Sequence, residues 1–251
     1  MSKRTHTIEV WGDFACFTRP EMKVERFSYP VITPSAARGI FDAIYWDCDL
    51  RKDDGVIRPY FHWQVERIEV LEMPRYIALR RNEVKGTGPG KAAINKWISG
   101  KENPEPLWAD GDDATTGRTQ RQTMALKNVR YRLTARIIPK TQFAAPEQIN
   151  KFDNMFERRA KHGTCFQQPF FGCSEFPAFF EYVESGEERK PSVSFDQHIG
   201  WMLYDVFDLR RDIVKDEKPF ISLFDATVTS GVLEVPPFES EKVRKPERGR
   251  V

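Results

Sequence analysis

The sequence predicts an α+β fold: a ferredoxin-like N-terminal domain over residues 1–190, then a small C-terminal antiparallel β domain with a basic tail over 191–251. Three observations predict it. Thr33-Pro34 opens an amphipathic helix in which Ala36, Ala37, Ile40, Phe41 and Ile44 recur at three- and four-residue spacings. Residues 129–137 put apolar side chains at odd positions and polar ones, mostly Arg, at most of the even positions between them, as in a strand with one face in a core. The segments up to residue 183 run strand, helix, strand, strand, helix, strand, which is the ferredoxin-like order.

Taken in order, residues 7–17 read as a first strand with Ile8 and Val10 on one face and Gly12 marking a bulge. A charged loop at 18–23 and a short extended piece at 24–29 lead into the helix at 33–46. Gly39 is a poor helix residue, and close approach of a neighbouring backbone is the expected reason for it. Tyr45 and Trp46 close that helix and point toward a ligand beside the sheet edge. Residues 47–58 read as an exposed loop. Trp63, Val65, Arg67, Glu69 and Leu71 alternate with Gln64, Glu66, Ile68 and Val70 in a strand, Met73-Pro74 turns the chain, and 76–84 reads as its antiparallel partner, carrying Arg80 and Arg81.

Residues 85–117 read as a flexible insertion with a short helical patch at 91–99 and acidic Asp110, Asp112 and Asp113. Its Gly88-Pro89-Gly90-Lys91 is no phosphate loop: the upstream glycine has the wrong spacing, and Ala92 stands where a magnesium-binding hydroxyl belongs. Residues 114–146 contain no Asp or Glu but carry Arg118, Arg121, Lys127, Arg130, Arg132, Arg136 and Lys140. In the strand 129–137, Val129, Tyr131, Leu133, Ala135 and Ile137 share the core face and Arg130, Arg132, Thr134 and Arg136 the other. Solvated faces normally mix signs, so this one is expected to meet a polyanion. A second helix at 146–163 has Ile149, Phe152, Met155 and Phe156 inward, Arg158, Arg159, Lys161 and His162 in its last turn, and Gly163 as its stop. The aromatic loop 165–172 brings Gln167 and Gln168, 176–183 is a further strand, and a charged turn at 184–191 marks the boundary before strands at 200–206 and 219–235.

With 251 residues, 40% hydrophobic and 13% aromatic, the chain can bury a core. A net charge of +2 means that any nucleic-acid role comes from where charge sits rather than from its total. The four cysteines form no CxxC pair, and neither a signal peptide nor a spanning segment is visible; a reducing, cytoplasmic setting without membrane contact is expected. His162, Cys165 and Cys173 lack a fourth ligand at zinc spacing, so no metal or other cofactor is expected.

Several blocks together, Glu21-Met22-Lys23-Val24-Glu25-Arg26, the helix at 33–46, Arg80-Arg81-Asn82-Glu83-Val84, Phe166-Gln167-Gln168-Pro169, Gly172-Cys173-Ser174-Glu175-Phe176-Pro177 and Gly200-Trp201-Met202-Leu203-Tyr204-Asp205, resemble CRISPR-associated Cas family 5, type I-C (Dvulg) subtype. The likeness runs from the first strand into the second β unit and is patchy at 47–60 and 85–119. It implies an RRM-type fold with a small C-terminal β domain. It also implies a subunit of a crRNA-guided surveillance complex at the 5′ handle of the guide, and a metal-independent endoribonuclease that cuts the repeat of precursor crRNA. CRISPR repeat RNA and the other subunits of the type I-C complex are then the partners, and duplex DNA is a further partner this reading leaves open.

The resemblance implies a catalytic Tyr at the end of the first helix and a Lys-His pair at the start of the second. Tyr45 matches the Tyr. Counting back from the block at 163–169, the pair falls on Lys151-Phe152, so the Lys is present and the His is replaced. Lys161-His162 is the alternative pair. Eleven residues along a helix is about 1100°, which returns to the same face roughly 16 Å away, so one site cannot use both Lys151 and His162. His162 reads as a helix C-terminal cation. RNA cleavage without metal requires deprotonating a 2′-OH, stabilising a phosphorane and protonating the leaving 5′-oxygen. Lys151 suits the charge, and Tyr45 suits orientation or proton shuttling. Arg130, Arg132, Arg136, Arg80, Arg81, Gln167 and Gln168 are the expected RNA contacts. Two readings compete: a slow endoribonuclease and a handle-binding subunit with a degenerate site. An ordinary RRM-type single-strand binder is disfavoured, because the strands lack its aromatic-rich motif.

Overall fold

The computed structural model describes residues 4–22, 24–49, 55–85, 88–104, 110, 117–184, 186–187, 189–215 and 217–246. Parts of the expected 18–23 and 47–58 loops, of the 85–117 insertion, of the 184–191 turn and of the basic tail lie outside these residues. The chain forms β1 (His6–Ala15), α1 (Pro34–Ile44), β2 (Cys48–Asp49), β3 (Val56–Pro59), β4 (Phe61–Val70), β5 (Tyr76–Val84), α2 (Lys91–Ile98), β6 (Arg118–Pro139), α3 (Pro146–Lys161) and β7 (Phe179–Val183). Then follow β8 (Gln197–Asp205), β9 (Ile213–Val214), β10 (Ser222–Thr229), β11 (Val232–Glu234) and β12 (Val243–Arg244).

Strands β4-β6-β1-β7 lie side by side and antiparallel, the order of a ferredoxin-like sheet. α1 and α3 pack together over it through Phe41, Trp63 and Phe156, with centroids 5.0 Å apart for Phe41–Trp63 and 4.5 Å for Trp63–Phe156. Each fully buried Phe here contributes roughly 1.5–3 kcal/mol of apolar transfer. A buried pair, His6 Nε2 to Asp153 Oδ1 at 3.0 Å, ties β1 to α3 beneath those rings. The α+β class and the ferredoxin-like order therefore stand as the sequence predicts.

Four local expectations need correction. β5 does not pair with β4; it pairs along its length with the first half of β6, from Tyr76↔Leu126 to Val84↔Arg118, because β6 runs for 22 residues rather than nine and outreaches β4. Gly12 marks no bulge: β1 and β6 keep register through Gly12↔Val129, and a Cβ there would stand 2.7 Å from the Pro177 carbonyl oxygen. Gly39 has open space where close backbone approach is expected, since a Cβ there meets nothing within 4 Å. The 47–58 segment is not all loop, since β2 and β3 pair within it and β3 also pairs with β9.

Beyond the charged turn, the C-terminal strands lengthen the same sheet. β11 hydrogen-bonds to β4, β10 pairs with β11, β12 and β8, and α1 packs against β8. Arg38 of α1 reaches Asp205 of β8 with two hydrogen bonds, 2.6 and 3.1 Å, and also pairs with Asp42. Gln64 of β4 bonds the Tyr204 hydroxyl at 2.9 Å and accepts from the Phe238 N–H at 3.0 Å.

Candidate functional site

Thr33 caps α1 by accepting from the Ala36 N–H at 3.2 Å, and Tyr45 is the residue at which the helix ends, its N–H donating to the Phe41 carbonyl. The turn holds Tyr45 rigidly. Its carbonyl accepts from Trp63 Nε1 at 3.0 Å, its ring leans on Phe61 at 5.5 Å, and the Arg159 guanidinium stands 5.3 Å over the ring centre. The side chain is 4% exposed, and the hydroxyl donates a long bond, 3.5 Å, to Asp47. Burial, with the Asp47 charge second, pushes the phenol well above its ordinary pKa, so it stays a neutral O–H donor.

On α3, Phe152, Phe156 and Ala160 face the core, and Lys151 is exposed beside Phe152. Phe152 is 1% exposed, with its ring 4.9 Å from Phe61 and 6.3 Å from Tyr60. Tyr45 and the start of α3 therefore share Phe61 as a common neighbour. The α3 cation that touches Tyr45 itself is Arg159, two turns farther on, which also donates to the Ile44 carbonyl at 3.3 Å. Lys161 points elsewhere: its ammonium bonds Glu157 at 2.8 Å and Glu184 at 2.7 Å, over the Tyr182 ring, and those bonds raise its pKa. His162 is the C-cap of α3 and, with Arg158, Arg159, Thr164, Cys165 and Phe166, lines an open cleft. Among the described residues neither Arg158 nor Arg159 has a carboxylate partner within 4.0 Å.

The 165–172 loop is fastened to the last turn of α1, since the Phe166 and Gln167 N–H groups both donate to the Ala43 carbonyl, at 2.7 and 3.3 Å. The Gln168 amide is tied to the segment after the loop, donating to the Ala178 carbonyl at 2.9 Å. Phe166 is 78% exposed at the mouth of a groove along α1 that Arg38, Gly39, Gln167, Phe170 and Phe207 also line. Open space at Gly39 widens this groove.

Each of the three arginines at 129–137 on the outer face of β6 has a carboxylate partner. Arg130 pairs with Glu9, Arg136 with Glu66 at 2.9 Å, and Arg132 with Glu9 at 3.4 Å and Glu69 at 3.6 Å. Register is the reason: Glu9 of β1 and Glu69 of β4 both stand directly opposite Arg132. Arg81 is likewise bonded to Glu175 at 2.8 Å, whereas Arg80 is exposed with no ion pair among the described residues. Among the described residues the cation free of carboxylates on Tyr45 is Arg159, with Arg158 lining the same cleft; sequence reasoning left both as partners of a helix dipole. Their signal was legible in part, because Arg159 continues the inward stripe of Phe152 and Phe156 at helical spacing.

A family model described as CRISPR-associated protein (Cas_Cas5) matches residues 7–245, nearly the whole chain. The chain belongs to the Cas5d family. It is 37% identical over 242 residues, 95% of the chain and 97% of the relative, to the CRISPR pre-crRNA endoribonuclease Cas5d of Mannheimia succiniciproducens. To the protein of the same description from Thermus thermophilus it is 34% identical over 254 residues, covering 96% of each. A solved CRISPR-associated protein superposes with a TM-score of 0.60 at 18% identity over 96% of both chains, which shows the shared fold. The residues that the sequence resemblance assigns to the catalytic Tyr and Lys of Cas5d, Tyr45 and Lys151, are respectively buried and exposed, and Phe152, which it sets in the place of the His, is buried. Among the described residues no three His, Cys, Asp or Glu side chains converge as a metal-ligand set, and no helix is long and apolar enough to cross a membrane.

Proposed function

We propose that this chain cuts the repeat of precursor crRNA as an endoribonuclease and then stays on the 5′ handle as a subunit of a crRNA-guided surveillance complex in the cytoplasm. Relatives at 37% and 34% identity carry the pre-crRNA endoribonuclease description over almost their full length. The observation in the molecule that carries the reading is the cleft at the end of α3, which Arg158 and Arg159 line free of carboxylates among the described residues, with Arg159 standing over the ring of the rigid Tyr45.

In this reading no metal takes part: the 2′-OH gives up its proton to solvent, and the side chains place the RNA and offset the charge of the reaction. The repeat backbone enters along the groove of α1, past Phe166 and Phe170, whose exposed rings offer stacking faces to unpaired bases. Arg159 and Lys151 hold the scissile phosphate and offset the charge of the phosphorane. Tyr45, kept protonated by burial, donates its O–H where negative charge grows, on a phosphate oxygen or the leaving 5′-oxygen. His162 caps the end of α3 and takes no step.

Phe152 favours a second reading, in which the site is degenerate and the chain only binds the handle: a ring packed on Phe61 can neither give nor take a proton. Incubating the purified chain with repeat RNA in EDTA separates the two. Discrete cleavage that persists in EDTA is the expected result. Tight binding without a cut turns the assignment to the structural subunit, and loss of both binding and cleavage overturns both readings.

A further inference from the structure

Two of the four cysteines meet beneath the loop that borders the groove. Cys16 follows β1 directly and is fully buried, while Cys173 lies in the 172–176 turn and is 7% exposed. The backbone brings them together. The Cys16 N–H donates to the Phe171 carbonyl at 3.0 Å, and Gly172, at φ +79°, lies so close that a Cβ there would stand 2.2 Å from the Cys16 carbonyl oxygen. The Cys173 S–H donates to that same oxygen at 3.8 Å, which brings its sulfur beside Cys16.

The surroundings favour a thiolate. The Arg26 guanidinium donates to Cys173 Sγ at 3.1 Å, and Thr18 Oγ1 lies 3.5 Å from Cys16 Sγ. The Cys173 S–H, then Thr18, Arg26 and Arg81, hold the Cys16 thiol below its ordinary pKa against the opposing effect of burial. Neither thiol has a part in the proposed cleavage. Cys48 and Cys165 lie apart, on β2 and in the loop after α3, and all four cysteines are reduced.

We propose that Cys16 and Cys173 form a redox-responsive dithiol, which a hydroperoxide oxidises to a disulfide that pins the 166–176 loop to the end of β1. The Cys16 thiolate attacks one peroxide oxygen, the O–O bond breaks, and the departing oxyanion takes a proton. Cys16 is left as a sulfenic acid. The Cys173 sulfur, giving up its proton, then attacks the Cys16 sulfur; the S–O bond breaks and water leaves. Two thiols lose two electrons and two protons, and with hydrogen peroxide the oxidant ends as two waters. The bond cross-links residues 157 positions apart and draws taut the loop whose Phe166 and Gln167 are bonded to the last turn of α1. Oxidation therefore rigidifies one wall of the groove.

The test uses the folded full chain, treated with hydrogen peroxide, blocked with iodoacetamide, digested and analysed by mass spectrometry. A Cys16–Cys173 cross-linked peptide, lighter by two hydrogens and lost on treatment with dithiothreitol, is expected, with Cys48 and Cys165 recovered alkylated. The oxidised chain is expected to melt at a higher temperature than the reduced one, since the link constrains the unfolded chain. Recovery of Cys16 and Cys173 both alkylated, their over-oxidation without a link, or cross-links to Cys48 or Cys165 in comparable yield would overturn the proposal.

Discussion

Tyr45 is fixed on every side, and rigidity of this kind lets a phenol act in a reaction through geometry rather than through its acidity. Its carbonyl, ring and hydroxyl are engaged by Trp63, Phe61 and Asp47. Tyr45→Phe keeps the ring and removes only the O–H, so single-turnover cleavage is expected to slow by more than about tenfold with RNA binding nearly unchanged. Lys151→Ala is expected to do the same through lost charge on the phosphorane. Arg159→Ala should slow the cut and weaken binding together, because that guanidinium stands over Tyr45 and, in the proposed site, holds phosphate. His162→Ala should leave the rate within about twofold. An inactive His162→Ala beside an active Lys151→Ala would show that His162, not Lys151, works with Tyr45 and Arg159 in the cleft at the end of α3. The sequence makes Tyr45 legible, since it ends an apolar helical stripe behind a Thr-Pro start. It does not make Arg159 legible as a neighbour of Tyr45, since that contact exists only once α1 and α3 lie side by side.

At the scale of elements, β6 shows where reading one strand at a time stops working. Its alternation is correct, with Val129, Tyr131, Leu133, Ala135 and Ile137 all buried. What a single strand cannot reveal is which residues stand across from it, and Glu9 and Glu69, some sixty residues apart in sequence, both arrive opposite Arg132. The same blindness hides the pairing of β5 with the first half of β6, because the turn at Met73-Pro74 suggests a local hairpin that the longer β6 outcompetes. By contrast, α1 and α3 follow their caps and stripes closely, since helix bonds and amphipathic spacing are local. The pairing of Arg132 has a measurable consequence. Its side chain is 12% exposed and Glu9 only 4%, so Arg132→Met leaves a buried carboxylate short of a partner. A loss of about 1–3 kcal/mol in denaturant unfolding is expected. Repeat binding should change little, whereas Arg158→Glu should weaken it and flatten its salt dependence. If Arg132→Met instead binds RNA far more weakly at unchanged stability, the β6 face is the RNA surface after all.

For the whole molecule, the sheet is continuous across the charged turn at 184–191, and this sets how the chain should unfold. β11 adds to β4, and Met202, Tyr204, Phe224 and Val228 belong to the same buried cluster as Trp63 and Phe41. Polar groups lock the two parts as well. Arg38 on α1 takes Asp205 of β8 in a two-pronged bond, and the Gln64 side chain of β4 meets Tyr204 and the Phe238 backbone. Removing residues 191–251 would leave the Arg38 guanidinium without Asp205 and expose the β4 edge that β11 covers. Residues 191–251, read from sequence as a small β domain, are therefore expected not to unfold independently of the rest. The full chain should melt in one cooperative transition, with near-ultraviolet and far-ultraviolet circular dichroism coincident. A fragment ending at residue 190 should be largely unfolded or aggregated under the same conditions. Asp205→Ala in the full chain should lower stability by about 3–5 kcal/mol, since it strips a buried cation of its main partner while Asp42 keeps only part of the charge balanced. Two resolved transitions, or a 1–190 fragment that melts cooperatively near the temperature of the full chain, would show instead that the C-terminal strands are an accessory laid on a self-sufficient ferredoxin-like unit.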